Sequence, residues 1–571
     1  MEVTVDNWKL GLEEVKKAVQ GAGFISIDAE FTGLGSRSTV LANTAQCVYD
    51  GIRSDVNNYP VIQLGICAVH FDERLNEWLA KPFNFYVLPK SVHFPETAFN
   101  PLLERTFSFD ASSIRFLQQH GFDFGKMFNS GVSYLNITDE AIIREKYTTK
   151  LKALRIPKHI KPEDKAYLDD FQKNVEEWMS GVKGSGTSAD SEKPVFEFET
   201  SKSSVQRKLV YEFLESHDPQ VSFVQDPFAD SSSQSKIIRL KYHPDKGDSL
   251  GLTVSERKLL EELDCILSDF RGIRTLFDIL IEAKLSLVVH NGFYDLCKVV
   301  SQFHCDLPES IKEWKTLVHG LFPCVIDTKR LARVLNDRVV QESLDKAGTG
   351  LADSVESLKK RLSATKTASM PVLRDEFGKY NDESSIHEAG YDAFLTAQLL
   401  LLMVAHDTNL PNPELAAVLH GSLKSNRFLS TFSNQLPVTR CLTTSWIDLS
   451  TEAEDISHFL NGGKVLHVTG DSCANNMRKV VSRLTSKSEA SVRMTWSSSE
   501  PECHVFISRA KSSVDSNGNS NAHAIDDLVK SIVELCATHQ WACKSLDPTD
   551  FHQNRQDHLH SKKRRLTDSP T

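Results

Sequence analysis

The chain has 571 residues, of which 40% are apolar, 9% aromatic and 25% charged, a soluble globular balance that excludes fibrous, collagen-like and wholly disordered classes. Its length suggests about three to four domains. Its net charge of −10 excludes a uniformly basic surface, so any RNA contact needs a local basic groove. The eleven cysteines contain no Cys-x-x-Cys pair, which argues against a secreted disulfide framework and against a zinc ribbon. Asp6 to Gln20 reads as an amphipathic helix with Trp8, Leu12, Val15 and Val19 on one stripe. Phe24–Ile27 follows as a buried-type strand, and Val61–Val69 and Phe83–Leu88 are further strands of a meander. Gly181–Asp190 reads as a flexible linker and Asp230–Ser235 as a polar loop; helices are expected at Tyr167–Met179 and Val205–Leu214, and a strand at Lys236–Tyr242. The first pattern then resumes with strands Leu285–Val289 and Val325–Asp327 and an apolar helix, Tyr391–Ala405. The longest apolar stretch, Leu395–Ala405, has about half the ~20 residues needed to span a bilayer, so no membrane partner is expected. A separate small α/β pattern covers 436–510, and the polar, basic end from 545 to 571 reads as a disordered tail.

Acids occur where a buried strand or helix normally has none. Asp28 and Glu30 are two apart on a strand, so both carboxylates point to one face. Asp295 stands one helical turn past a strand end, in His290-Asn-Gly-Phe-Tyr-Asp295. Asp392 opens the apolar helix, with His387 five residues before it. Oxygen donors of this kind suit magnesium. Two such ions activate a water and stabilise the leaving oxygen of a phosphodiester, and an imidazole takes the proton. Singly, each residue has an ordinary explanation: a strand-end turn, a solvated helix charge, a capping histidine. Their joint order fits one two-metal scheme.

These five residues, Asp28, Glu30, Asp295, Asp392 and His387, resemble the active-site set of the DEDD-type exonucleases whose base is a histidine. The surrounding text resembles the poly(A)-specific ribonuclease family of deadenylases: Phe24–Gly33, Gly121-Phe-Asp-Phe124, Gly131–Asn136, Val289–Gly292, Phe322–Lys329 and His387–Ala393, in that order. The resemblance covers most of 1–425. It implies an α/β, ribonuclease-H-like exonuclease fold built from 1–160 and 250–425, with two magnesium ions held by the four acids and His387 as base. It further implies 3′-to-5′ hydrolysis of single-stranded poly(A) to 5′-AMP, homodimerisation, and a place in nucleus and cytoplasm.

The remaining site residues are expected from stacking and charge. Phe31 follows the acid pair, with a core aromatic as its alternative. The resemblance places Phe116 as an adenine-stacking ring and Lys329 as a phosphate contact. Arg144–Lys161, with seven basic residues and one Glu, is a second candidate phosphate track or a solvated helix face. The insertion, 163–245, resembles the small α+β single-strand-binding domain of the Arg-x-x-x-His type, but Tyr211 stands four residues after Arg207. It reads equally as a dimer or cleft cover. The 436–510 segment resembles an α+β RNA-recognition motif, with Lys464–Thr469 and Cys503–Ile507 as core strands. The resemblance puts Trp496 where a tryptophan stacks on the 5′ mRNA cap. Lys562–Arg565 reads as a nuclear address or a weak RNA contact. Rival readings are a related trimmer of piRNA precursors, whose typical membrane-spanning end has no counterpart here, and a catalytically dead RNA- or cap-binding protein. The five intact active-site residues argue against the latter.

Overall fold

The computed structural model describes residues 1–35, 42, 44–92, 102–155, 160–184, 195–199, 203–217, 221–223, 237–242, 254–335, 350–365, 371–381, 387–420, 427–453, 455–459, 462–471, 473, 477, 490–496, 502–509 and 522–547. The strands run Glu2–Val3 (β1), Phe24–Phe31 (β2), Val61–Asp72 (β3), Glu77–Tyr86 (β4), Phe196–Glu199 (β5), Val221–Phe223 (β6), Ile237–Tyr242 (β7), Ser286–Val289 (β8), Val325–Asp327 (β9) and Leu373–Asp375 (β10). Toward the C-terminus come Gln435–Pro437 (β11), Trp446–Asp448 (β12), Lys464–Thr469 (β13), Ala490–Trp496 (β14), Glu502–Arg509 (β15) and Ala542–Leu546 (β16).

Seven of the described strands form a mixed sheet of order β1-β4-β3-β2-β8-β9, with β10 also on β4. β2, β3 and β4 are antiparallel, while β8 and β9 run parallel to β2. The alternation of β2 explains its two-sided burial. Ile25, Ile27 and Ala29 join one core with helices Trp8–Val19, Ile273–Ala283, Phe293–Phe303 and Ile311–Leu321. Phe24 joins the opposite core, built with Cys67, Val69, Trp78 and the helix Ala389–Thr408.

That helix is 20 residues long, longer than its apolar centre suggested, and by length and composition it could cross a membrane. Instead 89% of its most apolar 18-residue window is buried inside the protein, as the core helix covering β2, β3 and β4. β2 and β4 also exceed their expected spans: β2 runs on to Phe31, placing Asp28 and Glu30 within the strand, and β4 starts at Glu77.

Residues 92–103 and 139–270 form a second compact unit. The helices Ile137–Arg155 and Val254–Arg271 thus belong largely to this unit, although 139–160 and 250–270 were expected in the nuclease body. Its sheet has the order β5-β7-β6. Phe171, Val175, Val210, Phe213, Leu214 and Leu240 make its core. The helix Pro162–Gly184 continues through the start of the expected linker, of which 185–190 lie outside the described residues, as does Asp230–Ser235.

β13 to β16 form a sheet of order β14-β15-β13-β16. Leu466, Val468, Cys503, Val505 and Ile507 pack one face of it against helix Ala522–Thr538. This sheet extends past 510, and β16 takes in the first two residues of the expected tail. The opposite face carries Val465 and Phe506, which pack with Leu442 and Phe459 from the preceding segment. Residues 548–571, including Lys562–Arg565, lie outside the described residues.

Candidate active site

The even positions of β2 face the helix Ala389–Thr408. The Ser26 hydroxyl donates to the Ala393 carbonyl at 2.6 Å, and two residues farther along Asp28 reaches the level of Asp392. The approach depends on β3. Gly65 pairs with Asp28, and a Cβ on it would lie 1.8 Å from the Ala389 carbonyl oxygen. The helix N-terminus leaves backbone N–H groups without intrahelical partners. Two buried amide side chains satisfy them: Gln63 Oε1 accepts from Ala389 N at 2.9 Å, and Asn84 Oδ1 from Gly390 N at 3.0 Å. A Gln and an Asn interrupting apolar strands are the trace of this arrangement in the sequence.

Asp295 sits in the first turn of Phe293–Phe303. The turn before it is braced by Asp327, fully buried at the end of β9, whose carboxylate accepts from Gly292 N at 2.8 Å and Arg330 N at 3.0 Å. His290 lies alongside, with Nδ1 2.9 Å from the Thr328 hydroxyl oxygen. Burial, reinforced by Lys329 and Arg333, pushes its pKa down to about 3 and keeps it neutral. Lys329 is half-buried on the helix Thr328–Val334.

The four acids converge electrostatically. Burial, followed by repulsion from Asp392, Asp295 and Glu30, raises Asp28 well above the usual carboxylate range. Burial, then Asp392 and Asp295, does the same to Glu30. Burial lifts Asp295 to about 7, with Asp327 adding to the effect. Burial also lifts Asp392 to about 7; Glu388 adds, while the His387 backbone amide opposes by hydrogen bonding. Clustering such groups is costly unless cations join them. Four hard oxygen donors whose charges act on one another therefore fit divalent metal ions, with Asp28, Glu30, Asp295 and Asp392 as holders.

The ligand atoms of Glu30, His387 and Asp392 lie within 4.8 Å of one another, with His387 Nδ1 3.8 Å from Asp392 Oδ2. His387 has φ of 68°, a left-handed conformation uncommon for a non-glycine residue. Next to it, Glu388 accepts from the Tyr380 hydroxyl at 2.7 Å and pairs with Lys379.

The expected RNA-contacting residues are distributed unevenly. Phe116 is 38% exposed and its ring centroid lies 4.9 Å from that of His387. Phe31 is half-buried, edge-on to Tyr294 at 5.7 Å. Lys298, fully buried, places its ammonium 5.7 Å from the Phe31 ring and donates to the carbonyls of Val56 and Tyr59. Burial lowers its pKa to about 7. A lysine on an amphipathic helix gave no sequence signal of this pinning role. In the second unit Arg144 is engaged by Glu140 at 2.6 Å and by Asp264, which ties up the start of the basic run; 156–159 lie outside the described residues. Arg207 and Tyr211 fall one turn apart on the helix Ser204–His217. Trp496 ends β14 opposite Cys503; its side chain lies outside the description.

A family model described as CAF1 family ribonuclease matches residues 3–400. The chain belongs to the CAF1 ribonuclease family. Similar proteins include the poly(A)-specific ribonuclease PARN of Xenopus laevis, 28% identical over 490 residues, covering 82% of this chain and 71% of that protein. The protein of the same name from Danio rerio is 29% identical over 468 residues, covering 79% and 66% respectively. The poly(A)-specific ribonuclease PNLDC1 of Mus musculus is 27% identical over 417 residues, covering 71% of each chain. Among solved structures, Pop2p of S. pombe in its Mg2+- and Mn2+-bound form aligns with a TM-score of 0.33 at 13% identity, covering 76% of this chain and 97% of that one.

Proposed function

We propose that this ribonuclease is a 3′-to-5′ exonuclease that shortens single-stranded poly(A) tails and releases 5′-AMP. The observation that carries the reading is the convergence of Asp28, Glu30, Asp295 and Asp392 beside His387, in a family of ribonucleases. The poly(A)-specific names of its relatives supply the substrate class.

In this reading the four carboxylates hold two magnesium ions, which when bound polarise the attacking water and neutralise charge at the leaving oxygen. His387 takes the proton of that water. Neutral His290 and Asp327 hold the turn that presents Asp295, and Gln63, Asn84 and Gly65 hold the helix that presents Asp392. Phe31 and Phe116 stack terminal adenines, and Lys329 meets a phosphate. The C-terminal sheet acts as an RNA-recognition-like module with Trp496 as a cap-stacking residue, and the second unit as a single-strand or dimer contact. The enzyme works as a homodimer in nucleus and cytoplasm.

The test is Asp28→Ala against wild type on a 5′-labelled RNA with an oligoadenylate tail in magnesium. Wild type shortens the tail stepwise, while the variant stays folded and leaves it intact. A variant that degrades the tail at the wild-type rate refutes the two-metal assignment.

A further inference from the structure

The helix Ala111–Gln119 is anchored to the end of the acid-bearing strand. Asp110 caps it, its carboxylate accepting from Ser112 N, and the Asp110 amide donates to the Thr32 carbonyl at 2.9 Å, two residues past Glu30. Gly33 permits this approach, since a Cβ there would lie 2.9 Å from Asp110 Cβ. From the anchored helix, two rings four residues apart reach His387. The Phe116 ring lies 4.9 Å from the His387 ring, the His120 ring 4.2 Å, and the two lie 4.3 Å from each other.

His120 is itself fixed. Its Nδ1 lies 2.7 Å from the Phe116 carbonyl oxygen; a carbonyl can only accept, so Nδ1–H donates and sets the rotation of the ring. His387 is held differently. Its left-handed backbone conformation accompanies an amide hydrogen bond to the Asp392 carboxylate, which ties its main chain to the acid cluster. The backbone tie leaves the two side-chain torsions of His387 to be set by whatever its ring touches. It touches Phe116 and His120 on one side, and its Nδ1 lies 3.8 Å from the Asp392 carboxylate on the other. His120 is exposed, so core packing does not account for its place.

We propose that His120 is a positioning residue for His387: with Phe116 it forms a two-ring clamp that keeps the His387 imidazole turned toward Glu30 and Asp392. The proposal rests on His387 being the general base. Phe116 also has a proposed role in stacking adenine, so substituting it would disturb two functions, whereas His120 isolates the clamp.

The experiment compares wild type, His120→Ala, His120→Phe, His387→Ala and the His120→Ala/His387→Ala double variant by steady-state kinetics on an oligoadenylate-tailed RNA in magnesium. His120→Ala is expected to lower kcat on the order of tenfold with KM unchanged, since a misaligned reacting group slows the step without weakening binding. His120→Phe keeps a ring against His387 and recovers most of the rate. Added to His387→Ala, the His120→Ala change costs nothing further, because the residue acts only through the one already removed. A wild-type kcat in His120→Ala, a loss confined to KM, or a further tenfold loss in the His387→Ala background overturns the clamp and leaves the base assignment standing. A wild-type rate in His387→Ala overturns the base assignment, and the clamp with it.

Discussion

Gly65→Ala tests how the fold sets the active site, because the residue carries no chemistry of its own. The added Cβ would lie 1.8 Å from the Ala389 carbonyl oxygen and 2.5 Å from Gly390 N, both backbone atoms at the start of the helix bearing Asp392. Ordinary contact begins near 3.4 Å, so strand and helix must separate by about 1.6 Å. Overpacking of this kind costs roughly 1–3 kcal/mol. Lifting the helix also weakens the hydrogen bonds that Gln63 and Asn84 accept from it and that Ser26 donates to it, each worth about 0.5–1.5 kcal/mol. A total loss of about 2–5 kcal/mol of stability follows. Displacing a catalytic group by about 1 Å costs on the order of 10²-fold in rate, so the surviving folded protein should hydrolyse poly(A) about a hundredfold more slowly. Denaturant titration reads the first effect, and single-turnover kinetics below the melting range read the second. Gly51→Ala is the control: it lies on the helix Ala45–Asp55 with nothing within 4 Å of its would-be Cβ, so it should keep the rate and gain about 0.5–1 kcal/mol. A Gly65→Ala protein with wild-type stability and rate refutes the proposed packing of helix on strand.

His387→Ala should lose roughly 10²–10⁴ in rate while metal binding survives; a rate restored by saturating magnesium would make His387 a ligand, as its distance to Asp392 permits. Without metal, Asp295 and Asp392 have folded pKa values of about 7, raised from 3.8, so the folded state holds protons that the unfolded chain has released. Their stabilising contribution is complete below about pH 4 and is lost as pH rises through 7, so the Tm of chelator-treated protein should fall from pH 5 to 8 and magnesium should raise it most at pH 8. Asp295→Asn should flatten that fall, and an unchanged slope in the variant counts against the clustering of charge. For the cap, Trp496→Ala should reduce cap affinity by about 1–3 kcal/mol with little change on uncapped poly(A); unchanged cap binding, or loss of the protein's cooperative melt, rejects the stacking role.

The candidate acids were legible because each stands where periodicity expects an apolar residue or a cap: Asp28 and Glu30 in a buried strand, Asp392 at the mouth of an apolar helix. What held them in place was less so. Gln63 and Asn84 satisfy a helix terminus more than 300 residues away in sequence, and no local rule connects them to it. Asp327 was legible only as the end of a short strand, yet it caps the following helix and also accepts from Gly292. Lys298 carries no pattern that foretells its burial, which depends on the carbonyls of Val56 and Tyr59 more than 230 residues away. The helix Pro162–Gly184 runs on through the Gly-rich start of the expected linker, because composition marks solvent exposure and not the end of a helix. β16 was missed at the far end because Ala542–Leu546 is short and shows no apolar alternation, and its place is set by pairing with β13.

The most direct measurement follows a single labelled nucleotide. RNA carrying a radiolabelled 3′-terminal adenosine nucleotide is incubated with the protein in magnesium, or in excess chelator, and the earliest products are separated by chromatography. The proposed 3′-to-5′ deadenylation requires that the label appear first as 5′-AMP, with magnesium only, and more slowly when the tail is uridine or cytidine. Label emerging first in oligonucleotides, label released equally in chelator, or equal rates on all tails would contradict it.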